Sequence, residues 1–144
     1  MSKPQHLTAP VATTEMPKGI PYIIANEAAE RFSFYGMRAL LFLYLTVQLF
    51  KDLGDDEAKA TAVGIYAAYG ALVYATPFLG GILADKVLGF KRSTMLGAVL
   101  MAIGHFVMAI ENEPMLYVAL AFLIVGNGFF KPNISSMVGG LYKP

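Results

Sequence analysis

A group of charged residues lies inside an otherwise apolar stretch and is the part of the sequence best suited to chemistry. Glu27, Glu30 and Arg31 are followed at helical spacing by Phe34 and Arg38. On a helix that turns by about 100° per residue, these positions fall on one face. A charge at the centre of a bilayer costs roughly 2.5–3.5 kcal/mol, so charged residues within a span face a water-filled cavity or one another. The pattern therefore indicates a substrate or proton path.

The spacing of the two glutamates suits proton transfer. Glu27 and Glu30 lie four residues and one residue before Arg31, and both carboxylates are expected within reach of its guanidinium. The guanidinium can hold one carboxylate by charge-assisted hydrogen bonds while the other carries a proton. A substrate anion that competes for the arginine would then change which protonation state of the glutamate is stable. The arginine favours the ionised carboxylate, whereas burial favours the neutral carboxylic acid. The alternative is a static salt bridge that only helps helices assemble.

The composition is that of a membrane protein, with 56% hydrophobic and 15% charged residues. The formal net charge of +1 gives no reason to expect a nucleic-acid partner. The absence of cysteine excludes disulfides, thiolate metal sites and cysteine nucleophiles. No nucleophile–base or metal-ligand pattern occurs, so we expect neither an enzyme nor a metal or cofactor site. His105 is expected to be a hydrogen-bonded packing residue.

Hydrophobic runs predict four membrane-spanning helices, because one span needs about 20 residues. The predicted spans are 21–50, 61–84, 94–110 and 115–138, separated by an acidic loop at 51–60, a basic turn at 85–93 and an acidic turn at 111–114. Residues 1–20 are polar and proline-rich, and are expected to form a disordered cytoplasmic tail. The bundle would then occupy 21–144, with glycines along the spans that let helix backbones approach closely. The predicted fold is an all-α membrane protein.

The loop charges predict the orientation, because short cytoplasmic loops hold the excess of lysine and arginine. With four crossings, the basic residues of the tail, of the 85–93 turn and of the C-terminus fall on one side. Lys51 and Lys59 fall on the other side. Both ends are therefore expected in the cytoplasm of a multi-pass protein of the cell membrane.

A second polar group, Lys131, Pro132 and Asn133, lies inside the fourth predicted span. Proline kinks a helix, and the ammonium and amide groups could meet a substrate's carboxylate and peptide groups. With Arg31 and Arg38, Lys131 would make one end of a cavity cationic. The alternative is that Lys131 extends toward the lipid headgroups.

Charged residues also occupy the turn between the second and third spans, at Asp85, Lys91 and Arg92. They could form a charge-pair latch that opens and closes with the cavity. Alternatively, the basic residues serve only to fix the topology. Tyr66 and Tyr69 could line a pocket or belong to the aromatic belt at the membrane interface, and the belt is favoured for Tyr66, which lies near the outer edge.

Three blocks of sequence resemble the proton-coupled oligopeptide transporters, a family of the major facilitator superfamily. The blocks are ExxERFSFYGMR (27–38), GGILADKVLGFKR (80–92) and FLIVGNGFFKPNISSMVGGLY (122–142). They are similar, in order, to the first-span signature, to the loop between spans two and three, and to the fourth-span signature. The resemblance implies that the four helices begin the N-terminal bundle of a longer carrier, because alternating access needs two halves of about six helices each.

The resemblance also implies roles for individual residues. The residues expected to couple proton movement to substrate binding are Glu27, Glu30 and Arg31, and those expected to bind substrate are Arg31, Tyr35, Arg38, Tyr74, Lys131 and Asn133. The sequence departs from the family at two positions. Phe34 replaces a tyrosine of many bacterial members, and Ala67 replaces a histidine of animal members. Proton coupling would therefore have to rely on carboxylates.

The expected function is symport of di- and tripeptides with protons across the cell membrane. The cations would take the peptide's carboxylate, whereas the partner of its amine would lie in the remaining helices of the carrier. Two alternatives stay open. The cations Arg31, Arg38 and Lys131 would also suit a carrier of nitrate or another anion, and a non-transporting bundle could use its buried charges only for assembly.

Overall fold

The computed structural model describes residues 15–142, so most of the tail predicted at 1–20 lies outside the described residues. Within 15–142 there are four α-helices and no strand, which confirms the predicted helix count and the all-α class. The helices are α1 (Ile20–Tyr44), α2 (Asp55–Leu83), α3 (Phe90–Met108) and α4 (Glu113–Leu141). Each of the first two is continued by a π-helical turn, Leu45–Leu49 after α1 and Ala84–Leu88 after α2.

Three of the helical segments are long and apolar enough to cross a membrane. They are Ile20–Leu49, Asp55–Leu88 and Glu113–Leu141, with 30, 34 and 29 residues. The α3 helix is shorter, at 19 residues, and its first turn contains the charged residues Lys91 and Arg92. Its main partner is α4, and the α3–α4 and α2–α4 interfaces are the two largest in the bundle.

The acidic loop predicted at 51–60 is only partly a loop, because α2 begins at Asp55. The first turn of α2 contains Asp55, Asp56 and Glu57. Acidic side chains interact favourably with the positive end of the helix macrodipole, so this acidic cluster belongs to the start of the helix. The non-helical connection between the first two helical segments is limited to residues 50–54.

The basic turn predicted at 85–93 is almost entirely helical. The π-helical turn after α2 ends where the Gly89 N–H donates to the Ala84 carbonyl at 2.8 Å. Gly89 has a φ of 76°, a conformation that residues with a β-carbon rarely adopt. Since α3 begins at Phe90, the chain changes direction at this one glycine.

Glycines bring α4 close to its neighbours, as expected. A β-carbon on Gly126 would lie 2.8 Å from the Gly97 carbonyl oxygen of α3, and one on Gly80 of α2 would collide with the Gly128 backbone. Such small residues let helix backbones come into direct contact in membranes. Gly64 and Gly70 are different, since nothing lies within 4 Å of the position a β-carbon would take. The packing role expected of these two glycines is not found.

The α1 helix is the most loosely packed helix, and its contacts determine where the charged residues lie. It contacts α2 and α4 through interfaces much smaller than those that α4 forms with α2 and α3. A core cluster that includes Leu41, Leu45, Val73 and Leu116 holds its C-terminal half against α2 and α4. Buried residues make up 17% of the apolar window of the α1 span, against 44% for α4. Much of the surface of α1 is therefore open.

Candidate functional site

Glu30 is the charged residue of α1 that points into the bundle. Its side chain is 5% exposed. One carboxylate oxygen accepts a hydrogen bond from Arg31 Nε at 2.5 Å. The other accepts one from Asn127 Nδ2 of α4 at 3.0 Å. The structure thus brings together Glu30 and Arg31, as the sequence predicted, and joins the pair to a second helix.

Glu27 is not part of this ion pair, so Arg31 holds one of the two carboxylates that the sequence placed within its reach. Glu27 is half-buried, and the Glu30–Arg31 pair is the one ion pair within residues 15–142. The reason is the direction of the arginine side chain. The Arg31 guanidinium lies 5.4 Å from the Phe34 ring centroid and 6.0 Å from that of Tyr35. These rings are toward the C-terminal end of α1, whereas Glu27 is one turn toward the N-terminal end.

Phe34 lies between the two arginines of α1. The guanidinium carbons of Arg31 and Arg38 are each 5.4 Å from the centroid of its ring. Phe34 is buried, and its centroid is 6.5 Å from that of the buried Tyr69 of α2. A cation over an aromatic face is stabilised by about 0.5–2 kcal/mol, depending on solvent exposure. The phenyl ring therefore lies between the two cations and contacts both. The hydroxyl group that a tyrosine would have at this position is not needed for these contacts.

Arg38 is bound by α2 through Tyr66. Its Nε donates to the Tyr66 hydroxyl at 3.1 Å, and its guanidinium carbon lies 4.9 Å from the centroid of that ring. The sequence favoured an interfacial belt over a pocket for Tyr66 because this residue lies near the outer edge of its span. The contact with Arg38 spans 28 residues and has no local signal. The structure instead makes Tyr66 part of the cationic site.

Lys131 faces the outer side of the site, near Tyr74 of α2. Its Nζ lies 5.3 Å from the Tyr74 ring centroid, and it forms no ion pair with any residue of the described range. Tyr74 is 65% exposed, and Tyr35 of α1 is also exposed. These predicted substrate-binding side chains are thus on the open surface of the four-helix bundle, where a ligand could reach them.

Asn133, which is also predicted to bind substrate, faces away from the other residues of that set. It is 1% exposed, and its Nδ2 donates to the Phe129 carbonyl of its own helix at 2.6 Å. Residues two apart on a helix are about 200° apart around the axis. Since Lys131 faces the open side, Asn133 must face the interior. The proximity of the two in sequence was misleading.

The residues predicted to form a latch, Asp85, Lys91 and Arg92, are all exposed. Asp85 is in the π-helical turn that follows α2, and the two basic residues are in the first turn of α3. No ion pair links them within the described part of the chain. These three residues thus form no charge pair with one another in this conformation, and the two interpretations of the turn both stay open.

A cavity of about 240 Å³ lies beside Glu30, between α1, α3 and α4. The side chains with polar groups that line it are Asn26, Glu30, Ser33, Tyr69, His105 and Asn127. Ser33 Oγ and His105 Nε2 are 2.7 Å apart, so a hydrogen bond joins α1 to α3. His105 is hydrogen-bonded, as expected, although its partner is 72 residues away in the sequence.

In the range 15–142 no group of three or more His, Asp or Glu side chains could hold a metal ion.

Asn127 is the residue of the site that the sequence did not identify. A weak signal was present, because an asparagine between two glycines lies inside a predicted span, four residues before Lys131. Polar side chains within spans commonly form hydrogen bonds between helices. The sequence alone does not give its partner, since Glu30 is 97 residues away.

Comparisons with known proteins place this arrangement among transporters. Residues 91–144 match the family model described as PTR2, POT family. The chain is 44% identical over 129 residues to the di-/tripeptide transporter of Lactococcus lactis subsp. lactis (strain IL1403). It is 41% identical over 128 residues to the uncharacterized transporter YclF of Bacillus subtilis (strain 168). Each match covers 88% of this chain and 26% of the relative, so the chain spans about a quarter of the length of the curated relatives it matches.

Solved structures of transporters also match the fold of the four helices. A crystal structure of a mutant of the peptide transporter POT in complex with alafosfalin matches with a TM-score of 0.82 and 39% identity, over 92% of this chain and 27% of that one. An in meso crystal structure of the POT family transporter PepTSo matches with a TM-score of 0.82 and 36% identity, over 88% of this chain and 25% of that one. The four helices are thus arranged as in part of a much longer transporter.

Proposed function

Because this chain belongs to the POT family, we propose that it forms part of a carrier that moves di- and tripeptides across the cell membrane together with protons. One observation carries the proposal. Inside a segment long and apolar enough to span a membrane, a buried carboxylate is paired with an arginine whose side chain is only partly buried. Ionisable groups within a span mark substrate or proton paths. The relative that is named a di-/tripeptide transporter favours peptides as the substrate.

The peptide's carboxylate would bind at Arg31. The ion pair with Glu30 uses Nε, and the side chain of Arg31 is 26% exposed. The terminal amino groups of the guanidinium can therefore form a fork toward a second carboxylate. Arg38 and Lys131 add positive charge, and the exposed rings of Tyr35 and Tyr74 offer hydroxyl groups to the peptide bond.

Proton coupling would follow from competition for Arg31. While the arginine holds Glu30, the ionised carboxylate is stabilised. When the carboxylate of a peptide binds the terminal amino groups of Arg31, the positive charge of the guanidinium is shared between two carboxylates. The negative charge on the buried Glu30 is then less well neutralised, and Glu30 favours its protonated form. Proton and peptide would therefore bind together, which is the requirement for symport. Glu27 is a second carboxylate that could exchange protons with water, since it is half-buried and outside the ion pair.

The remaining helices of the carrier would cover the open faces of α1 and α2. Large apolar side chains on these faces are exposed, among them Phe32, Phe42, Leu72 and Phe78. The partner of the peptide's amine would lie on those helices, because carriers of this type build their site between two halves. An anion carrier is the second candidate, since Arg38 and Lys131 form no ion pair within the described residues.

The test uses the complete carrier in proteoliposomes. Wild type should accumulate a labelled dipeptide when the outside is acidified, and a protonophore should abolish the accumulation. Glu30→Gln should lose the accumulation but retain exchange of peptide for peptide, which needs no net proton movement. Glu57→Gln is the matched control, because it makes the same change at an exposed residue in the first turn of α2, away from the ion pair, and it should keep the accumulation. Proton-driven accumulation that survives in Glu30→Gln would contradict the proposal, and nitrate uptake without dipeptide uptake would favour the anion carrier.

A further inference from the structure

We infer that Asn127 is a positioning residue that keeps Glu30 hydrogen-bonded in both of its protonation states. The inference rests on the proton-coupled function proposed above. It concerns a residue of α4 that forms no part of the predicted proton-coupling or substrate-binding sets. Its starting point is the buried hydrogen bond from Asn127 Nδ2 to Glu30 Oε1, at 3.0 Å.

The first step concerns the two ends of the Asn127 amide. Asn127 is 3% exposed, and its Nδ2 is used by Glu30. Its Oδ1 is buried and forms no hydrogen bond within the described range of the chain. A buried acceptor without a partner is unfavourable. Asn127 thus carries an unused acceptor beside a carboxyl group that is proposed to gain and lose a proton.

The second step is a change of hydrogen-bond role. An ionised carboxylate only accepts hydrogen bonds, whereas a carboxylic acid also has an O–H that must donate. In the ionised state the amide NH₂ of Asn127 donates to Glu30. In the protonated state, rotation of the amide by about 180° presents Oδ1 to the new O–H. The unused acceptor then gains its partner, and the bond between α1 and α4 is kept.

The third step is that α4 cannot adjust by moving its backbone at this point. The flanking Gly126 and Gly128 contact neighbouring helices, where added β-carbons would lie 2.8 Å from the Gly97 carbonyl oxygen and 2.9 Å from Thr76 Cβ. Thr76 Oγ1 of α2 also donates to the Ile124 carbonyl at 3.1 Å. The backbone around Asn127 is therefore held from two sides, which leaves rotation of the side-chain amide as the available response.

Within residues 15–142, Arg31 is the one titratable group that hydrogen-bonds the Glu30 carboxylate. The groups on the surrounding elements are Arg31 and Glu27 on α1, Tyr69 on α2, His105 on α3 and Lys131 on α4. Arg31 is a donor only, and His105 is engaged with Ser33. Among the residues that hydrogen-bond the Glu30 carboxylate in the range 15–142, only Asn127 can both donate and accept.

The experiment compares Asn127→Thr with Asn127→Val in the complete carrier, because the two side chains have the same shape and only threonine has a hydroxyl that donates and accepts. The readouts are the pH profile of proton-driven dipeptide uptake and peptide exchange. Asn127→Val should lose uptake by about tenfold, as expected for one buried hydrogen bond to a charged group, and should move the pH profile. Asn127→Thr should keep most uptake and the wild-type profile. Ser93→Ala, a buried polar change on α3, is the control and should move neither readout.

A second readout does not depend on transport. Infrared difference spectra taken across a pH titration report the carboxylic C=O band of Glu30, identified as the band that Glu30→Gln removes. The midpoint of this band should move by about one pH unit or more in Asn127→Val and by less in Asn127→Thr. If wild type transports no dipeptide, the proposed function fails while this titration still tests the role of Asn127. If Asn127→Val does not reach the membrane, Asn127→Ser and Asn127→Ala provide a second pair that differs only in a hydroxyl. Equal titrations and equal pH profiles within either pair would overturn the inference.

Discussion

Arg31 is the residue at which peptide binding and proton movement meet in the proposed mechanism. Its Nε is bound to Glu30, and its guanidinium lies over Phe34 and Tyr35. Planarity matters for both contacts, since a guanidinium can stack on a ring and form two parallel bonds to a carboxylate, whereas an ammonium cannot do both. We therefore expect the shape of this side chain, and not only its charge, to be required.

The first prediction is that Arg31→Lys weakens peptide transport by at least about tenfold, or roughly 1.4 kcal/mol, although the charge is conserved. Because the change also affects the pair with Glu30, the measurement compares uptake of dipeptides with free and with amidated C-termini. Wild type should prefer the free acid, and Arg31→Lys should lose most of that preference. If the variant keeps the full preference, the carboxylate is bound elsewhere, and Arg38 or Lys131 would be tested next.

At the scale of the helices, α4 is the element on which the others are assembled. It forms the largest interfaces, with α3 and α2, and it provides both Asn127 and Lys131. In contrast, α1 is attached by small interfaces and by a few hydrogen bonds between side chains, such as Glu30–Asn127 and Ser33–His105. These polar contacts therefore contribute much of what holds α1 against α4 and α3.

The second prediction concerns the glycine contacts of α4. A methyl group on Gly126 would lie 2.7 Å from Met101 Cγ and 2.8 Å from the Gly97 carbonyl oxygen. Gly126→Ala should therefore lower the free energy of unfolding by about 1–3 kcal/mol, the usual result of overpacking. Gly64→Ala is the matched control, because no atom of residues 15–142 lies within 4 Å of its β-carbon position. Alanine is a better helix former than glycine by about 1 kcal/mol, so Gly64→Ala should not lower the free energy of unfolding. Thermal unfolding in detergent should show a lower midpoint for Gly126→Ala, and a midpoint equal to that of Gly64→Ala would refute the close contact.

The third prediction tests the link between α1 and α3. Ser33→Ala removes the partner of His105 Nε2, which is 2.7 Å from Ser33 Oγ. Loss of one partly buried hydrogen bond should cost about 1 kcal/mol of unfolding free energy. Ser93→Ala removes a buried hydroxyl that forms no hydrogen bond within residues 15–142, so it should cost less. The comparison is again made by thermal unfolding, and a larger cost for Ser93→Ala would count against the Ser33–His105 bond.

At the scale of the whole molecule, the four helices leave broad apolar faces uncovered. Phe32, Phe78 and Phe106 are among the exposed apolar residues, and they belong to three different helices. Large exposed apolar surfaces mark contacts with protein or lipid. The chain spans about a quarter of the length of its curated relatives, so we propose that some of these faces contact the rest of the carrier and others contact lipid.

The fourth prediction is the orientation of the bundle. Reporter tags at both ends of the four-helix segment should be cytoplasmic, because basic residues are in excess on that side. A tag in the opposite loop must be placed within residues 50–54, since α2 already begins at Asp55. That tag should be accessible only from outside the cell. The reverse accessibility pattern would show that the loop charges do not set the topology.

The sequence by itself determined the features that depend on neighbours along the chain. Apolar runs of sufficient length specify the helices, and helical periodicity places Glu30, Arg31, Phe34 and Arg38 on one face. Four helices are present, and the Glu30–Arg31 pair is formed. The predicted positions of the helix ends were less accurate. The acidic residues at 55–57 were assigned to a loop, although acidic residues also suit the first turn of a helix.

The tertiary structure decided which partner each polar side chain has. The bonds Glu30–Asn127, Ser33–His105 and Arg38–Tyr66 join residues 97, 72 and 28 positions apart. Such contacts depend on how each helix is rotated about its own axis, and that rotation is set by close packing at positions such as Gly97 and Gly126. For the same reason Asn133 faces the interior while Lys131 faces the open side, and Arg31 pairs with Glu30 and not with Glu27.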